Sequence, residues 1–227
     1  MSSVFLGFSN NFYHLYENLL LEYSLNSIYL VVGVSILVTI LGVLTAWLVT
    51  FFNFYGKGFF QWALILPLAV PPYLLAYVFT EFFDFSGTAN SILRDLFSTQ
   101  SDVIFFPNIR TIIGAIMVFG FTLYPYVYMV SRVAFMNIPA SVIEASSLLG
   151  KNSISTFFSL SIPLIRPAII AGVALVAMET LADFGAVQHF AIPTFTTGIF
   201  RTWTGLYDLN TALQLSTMLL LVIFIFL

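Results

Sequence analysis

From Ser27 to Phe52 the chain runs without a charged side chain, and this run constrains its fold more than any other feature. About 20 apolar residues in a helix cross the hydrocarbon core of a bilayer. The rest of the sequence has a similar character, since 60% of its 227 residues are hydrophobic and 7% are charged. A soluble domain carries about 25% charged residues. We therefore expect an all-α, polytopic transmembrane helical bundle.

Four further apolar segments are long enough to extend this pattern. The predicted spans lie at about 27–52, 59–80, 111–130, 167–184 and 211–227. Residues 1–26 carry several polar side chains and are predicted to lie outside the membrane. The last span is still apolar at Leu227, and no basic region opens the chain as in a signal peptide. We expect a piece of a longer protein, truncated at both ends.

Basic residues near the span ends predict the orientation. Four of the seven basic residues flank or occupy the polar segment 131–166 or face the same side, namely Lys57, Arg132, Lys151 and Arg166. Loops rich in Lys and Arg stay in the cytoplasm. The segment 131–166 is therefore predicted to be cytoplasmic, and the N-terminus to lie on the opposite side.

Several classes of function are excluded by residues that the chain lacks. There is no cysteine, and the net charge of −3 comes without a basic run, so nucleic acid is not an expected partner. No Gly-x-x-x-x-Gly-Lys-Ser/Thr loop, His-Glu-x-x-His or Gly-x-Ser-x-Gly motif occurs. We therefore expect no enzymatic activity and no cofactor bound by this chain.

The second predicted span contains three prolines. Pro67, Pro71 and Pro72 remove backbone donors that lipid cannot replace, so the helix must be kinked or broken. Such breaks occur beside a watery pathway and also in simple kinked packing. Pro71 and Pro72 are accordingly candidate pathway residues, with kinked packing as the alternative.

The segment 131–166 is predicted to form two helices joined by Gly150, which sits where a left-handed C-terminal cap belongs. Helical spacing in the first helix gives an apolar stripe, formed by Val142, Ile143, Ala145, Leu148 and Leu149.

The second helix of this segment can be capped by Asn152 or Ser153. We expect Pro163 and Pro167 to end it before the next span.

This segment carries the most specific motif of the chain. Its residues are Glu144, Ala145 and Ser146, then Gly150, and then Leu160, Ser161, Ile162 and Pro163. They resemble the EAA loop of type I binding-protein-dependent ABC importer permeases, which reads Glu-Ala-Ala, three residues, Gly, nine residues, Ile-x-Leu-Pro. Ser146 replaces Ala, Leu160 and Ile162 are exchanged, and the spacing is kept. The resemblance implies coupling helices that dock into a cytoplasmic ATPase subunit, which would hold ATP and Mg²⁺.

Further runs are similar to the ferric iron permeases of this superfamily. These runs are LPLAVPPY at 66–73, LYPYVY at 123–128, METLADFGAV at 178–187 and TFTTGI at 194–199. The resemblance implies the first half of a fused permease in the bacterial inner membrane. Its implied partners are a periplasmic binding protein, the ATPase and a second permease half, all assembled in the lipid bilayer.

Two acids in the fourth span are candidates for contact with a substrate. Glu179 and Asp183 lie four residues apart, which places both on one face of a helix. Acids within a membrane are usually functional, although one of them can also pair with a neighbouring helix and serve packing. Ferric iron prefers oxygen ligands. Transient contact is expected, and no stable metal site, because tight coordination would stop release.

Other possible ligands have simpler explanations. Tyr124, Tyr126 and Tyr128 are interpreted as belt residues at the membrane interface. His189 has no second ligand at metal spacing and is interpreted as structural.

Two alternatives to an iron importer stay open. Similar fused permeases move thiamine, polyamines or sulfate, and nothing in the composition separates these solutes from iron. An ion-driven secondary transporter would use a broken span and intramembrane acids equally well. The spacing of the coupling motif argues against that second alternative.

Overall fold

All regular secondary structure in the described part of the chain is helical. A computed structural model describes residues 10–97, 106 and 108–226. The helices are α1 (Asn10–Asn18), α2 (Leu20–Phe51), α3 (Lys57–Ala63), a 3-10 helix (Leu66–Ala69), α4 (Pro72–Phe83), α5 (Thr88–Phe97), α6 (Ile112–Met136), α7 (Ala140–Leu148), α8 (Ser153–Thr156), a π turn (Phe157–Ser161), α9 (Ile162–Ala182), α10 (Gly185–His189), α11 (Phe195–Thr204) and α12 (Leu209–Phe226). The predicted all-α fold is confirmed.

Three of the described helices are long and apolar enough to cross a membrane. They are Leu20–Phe51, Ile112–Met136 and Ser153–Ala182, and a fourth span arises if the helices on either side of the proline break count as one. The helix α12 is shorter, so the predicted fifth span stays a prediction. The helix α2 begins at Leu20 and not at Ser27, because Glu22 lies on its exposed side and does not interrupt it.

The third predicted span continues beyond its expected end at residue 130. The helix α6 runs to Met136, past Ser131 and Arg132. Ser131 is buried within its part of the structure. The helix ends shortly before Pro139, because a residue that precedes proline disfavours the helical conformation.

The prolines of the second predicted span break it as expected. The helix α3 ends at Ala63, a 3-10 turn follows, and α4 begins at Pro72. Pro71 has φ −58° and ψ 142°, an extended conformation that suits a residue before proline. The break is confirmed, and its place in a pathway stays a prediction.

Contacts divide the chain into two units. The first unit comprises the described residues of 1–34, 70–119 and 177–227. Its core contains Tyr23, Val31, Ala177, Leu181, Phe195 and Leu219. A hydrogen bond also joins distant parts of this unit: the Asn26 side-chain amide donates to the Pro193 carbonyl at 3.0 Å.

The second unit comprises residues 35–69 and 120–176. The helices α2 and α6 approach closely within it, since a Cβ on Gly42 would lie 2.8 Å from the Val127 Cβ. Small residues permit such approach between membrane helices.

The belt interpretation of the tyrosines is wrong for two of the three. Tyr128 is fully buried in the second unit, and its hydroxyl donates to the Gln61 carbonyl at 3.2 Å. Tyr124 is buried as well. Aromatic residues near the end of a span suit either an interface or a helix contact, and here the facing helices cover them.

The expectation that Pro163 and Pro167 end the second helix of segment 131–166 is also wrong. Residues Ser153–Ala182 form one continuous helix. A π turn at Phe157–Ser161 lies just before the prolines, and the Ile162 amide donates to the Phe157 carbonyl five residues back. Pro163 lies in the first turn of α9, and the wider turn before it accommodates its ring; Pro167 lies inside α9.

Candidate coupling and substrate sites

The helix α7 carries the first part of the coupling motif and is poorly buried. Glu144 and Ala145 are exposed, and Leu148 and Leu149 are 89% and 80% exposed. Ser146 is the one buried residue of α7. The predicted apolar stripe is therefore divided, because Val142 and Ile143 are half-buried while the other members face outward. The helix presents apolar surface that its own chain does not cover.

Gly150 makes the predicted turn after α7. Its φ is +78°, in the left-handed region. The Gly150 amide donates to the Ser147 carbonyl at 2.9 Å, and the Lys151 amide donates to the Ser146 carbonyl at 3.2 Å. This pair of bonds is a Schellman cap. A Cβ at Gly150 would meet nothing within 4 Å, so the backbone conformation alone requires glycine.

The helix that follows begins with a side-chain cap. The Asn152 Oδ1 accepts a hydrogen bond from the Ser155 amide at 2.7 Å. Of the two predicted caps, Asn152 is therefore correct and Ser153 is the first helical residue. The motif's last residues, Ile162 and Pro163, form the first turn of α9.

A buried hydroxyl pair connects α7 to the following helix across this turn. The Ser146 Oγ and the Thr156 Oγ1 lie 2.8 Å apart, and both residues are buried. The contact between Ser146 and Thr156 was not predicted. A polar residue at a small-residue position, with a second hydroxyl ten residues later, was the available signal.

The two candidate acids have different environments. Glu179 lies in α9 with its side chain exposed on this chain. Asp183 follows the end of α9, and its Oδ1 accepts hydrogen bonds from the amides of Ala186 at 2.9 Å and Val187 at 3.3 Å. Asp183 thus caps the short helix α10. Glu179 is the acid that presents its carboxylate to whatever covers this surface.

The start of α4 and the segment that follows Asp183 come together within the first unit. A Cβ on Gly185 would lie 2.9 Å from the Tyr73 Cβ. Pro71 and Pro72 start the helix that carries Tyr73, so two of the runs similar to iron permeases pack against each other.

His189 continues this contact as a structural residue. Its Nε2 lies 3.0 Å from the Thr80 Oγ1, and its ring centroid is 4.1 Å from that of Tyr77. Burial lowers the pKa of His189, and the positive charge of Arg110 lowers it further. Within residues 10–97, 106 and 108–226, no three His, Asp or Glu side chains converge as metal ligands would.

A match to a known family accounts for these features together. Residues 23–227 match the family described as binding-protein-dependent transport system inner membrane components. The chain belongs to this family. It is accordingly a multi-pass protein of an inner-membrane family, and the resemblance carried by the coupling motif is confirmed.

Members of the family with different solutes resemble the chain about equally in sequence. The chain is 28% identical over 195 residues to the Fe(3+)-transport system permease protein FbpB 2 of Haemophilus influenzae, covering 86% of this chain and 34% of that protein. It is 27% identical over 150 residues to the molybdenum transport system permease protein ModB of the same species, covering 66% and 62%. The sulfate transport system permease protein CysT of Salmonella typhimurium is 28% identical, covering 69% and 54%.

A solved structure supports the architecture. The chain resembles, with a TM-score of 0.68 and 15% identity, a chain from the crystal structure of a bacterial ABC transporter involved in the import of the acidic polysaccharide alginate. The likeness covers 97% of this chain and 81% of that one, and it concerns the fold alone. The chain spans about a third of the iron permease and about 62% of ModB.

Proposed function

We propose that this chain forms part of the permease subunit of an ATP-driven importer. A binding protein outside the membrane delivers the solute, and a separate cytoplasmic ATPase, loaded with ATP and Mg²⁺, drives access from one side to the other. The observation that carries the proposal is α7, which projects Glu144, Leu148 and Leu149 outward and buries one residue. An exposed apolar helix face next to a fixed turn is a surface for a protein partner.

A second permease half completes the proposed pathway. The iron permease relative is about three times the length of the matched region. Glu179 is exposed on this chain within a membrane helix, and a charged side chain there requires a protein or aqueous neighbour. A second half that faces Glu179 supplies that neighbour.

Ferric iron is the proposed solute. The iron permease relative matches 86% of the chain, and four runs of the chain resemble iron permeases. A carboxylate such as Glu179 attracts a hard cation and repels an oxyanion. Contact is proposed to be transient, with Glu179 as the first residue to test.

An oxyanion is the second candidate solute. The molybdenum and sulfate permeases match the chain at the same level of identity and over a larger share of their own length. The Asp183 carboxylate accepts hydrogen bonds from backbone amides. Of the two candidate acids, only Glu179 is then left to repel an anion.

Uptake measurements distinguish these proposals. The full-length permease, its ATPase and its binding protein are placed in liposomes and offered radiolabelled ferric iron, molybdate and sulfate, each with and without ATP. We expect ATP-dependent uptake of iron alone. ATP-driven uptake of molybdate or sulfate would overturn the solute, and uptake that ignores ATP would favour a secondary transporter.

Two matched substitutions test the acids. Glu179→Gln is expected to lower iron uptake about tenfold, the effect of losing about 1.4 kcal/mol of attraction. Asp183→Asn keeps an oxygen that can accept from the α10 amides, so uptake should stay near the native rate. Protein levels in the membrane serve as the control for folding. Normal uptake by Glu179→Gln at normal protein level would remove Glu179 from the pathway.

A further inference from the structure

The attachment of α7 to its own unit depends on very few side chains. Ser146 is its one buried residue, supported by half-buried Val142 and Ile143. The Ser146 carbonyl also accepts from the Lys151 amide at 3.2 Å, so both polar groups of Ser146 are engaged. Ser146 is therefore the most buried side-chain contact between α7 and the rest of its unit.

The partner of Ser146 stands on a firmly packed helix. Thr156 belongs to the continuous helix Ser153–Ala182. The next residue, Phe157, is buried, and its ring centroid lies 4.5 Å from that of Trp47 and 6.5 Å from that of Phe135. Thr156 is thus held in place by its neighbour and shares a helix with Glu179.

We infer that Ser146 and Thr156 act as a positioning clamp that makes the spanning helix follow the movements of α7. The inference rests on the proposed coupling of α7 to an ATPase. A buried hydrogen bond is directional and shielded from water, so it fixes the orientation of α7 as well as its distance from Thr156. Alanine, the residue of the family pattern at position 146, can pack in this place but cannot make the bond.

A second bond across the same turn supplies a control. The Lys151 Nζ donates to the Ser159 Oγ at 2.8 Å, and this contact is exposed. Water competes for exposed polar contacts, so they contribute little. Ser159→Ala removes a bond of equal length between the turn and the following helix, without touching α7, and should leave coupling intact.

The clamp predicts a change in the number of solute molecules imported per ATP hydrolysed. The assay uses the full-length permease with its ATPase and binding protein in liposomes, and the labelled solute that the native protein imports. Ser146→Ala and Thr156→Val should each lower this ratio about fivefold, a factor that corresponds to about 1 kcal/mol. Thr156→Ser keeps the hydroxyl and should restore it. The double variant should be no worse than the poorer single variant.

Spin labels test the clamp without transport. The 227 residues contain no cysteine, so once any cysteines in the rest of the full-length permease are replaced, labels can be placed at Leu148→Cys and Leu164→Cys, both exposed. In the full-length permease in nanodiscs, Ser146→Ala should broaden the distribution of distances between the labels, and Ser159→Ala should not.

The outcomes separate the inference from the proposed function. An unchanged transport ratio in both single variants, an equal fall in Ser159→Ala, or an unchanged distance distribution would each overturn the clamp. Absence of ATP-driven uptake in the native complex would overturn the proposed function, and the label distances would then decide whether α7 is clamped.

Discussion

Two polar segments of similar length differ in how far their side chains are buried and hydrogen-bonded within the chain. Residues 183–208 bury Thr194, Thr197 and Thr202, and each of these hydroxyls has a hydrogen-bond partner within the segment. Residues 137–161 leave most of α7 exposed, including two leucines. Segment 183–208 therefore holds its buried hydroxyls by hydrogen bonds within the segment, although Trp203 and Tyr207 stay exposed, whereas segment 137–161 buries one residue of α7 next to a fixed turn. The comparison shows that the polarity of a segment does not indicate how much of its surface its own chain buries.

The largest expected effect breaks the turn of segment 137–161. Gly150→Val places a β-branched residue at φ +78°, which costs about 1–2 kcal/mol and tilts α7. We expect ATP-driven uptake to fall at least about tenfold while the remaining core stays folded.

Two variants control this prediction. Gly150→Asn tolerates the left-handed conformation and should retain most uptake. Gly58→Val also adds a side chain in open space, but without a positive φ, and should be near native. Equal losses at Gly58 and Gly150 would contradict the role of the turn.

An intermediate effect is expected within segment 183–208. The Thr197 hydroxyl accepts from the Thr194 amide at 2.7 Å and donates to the Thr194 carbonyl at 2.9 Å. Thr197→Val leaves the buried Thr194 amide without its hydrogen-bond acceptor, so the free energy of unfolding should fall by about 1–3 kcal/mol.

Thermal unfolding in detergent measures this change. Thr204→Val serves as the control, since Thr204 is exposed on the same helix and donates to a carbonyl one turn back. If both valine variants had the melting temperature of the native protein, the stability of segment 183–208 would not depend on its buried hydroxyls.

The smallest effect concerns pH. Burial and the nearby Arg110 lower the pKa of His189 in the folded protein. The unfolded chain therefore binds more protons, and stability is lost as the pH falls below about 6.5. Because the ring is partly exposed, we expect a loss in melting temperature of only about 1 °C that His189→Gln removes. His14→Gln, which alters an exposed histidine, should keep the native pH dependence.

Local chemistry was readable from the sequence wherever a few adjacent residues determine the structure. The left-handed Gly150 and the Asn152 cap depend on the chain within one turn, and both predictions are confirmed. The break before Pro72 is confirmed for the same reason, since proline acts on its own backbone.

Contacts between distant residues were not readable in this way. The burial of Tyr128 depends on helices that the sequence does not place, and the bond between Ser146 and Thr156 crosses a turn. The four-residue spacing of Glu179 and Asp183 suggested one helix face, but α9 ends at Ala182, so Asp183 turns to the amides of α10.

The π turn at Phe157–Ser161 sets the rotational phase of the spanning helix. An α-helix advances about 100° per residue, and a π turn holds one residue more than an α turn. If the same residues formed an ordinary α turn, with none deleted, α9 would be rotated about its axis by about that angle relative to α8. Glu179 would then leave the side that it now presents, although no residue near it had changed. The direction in which the Glu179 carboxylate points is thus set by the π turn, some 20 residues earlier in the chain.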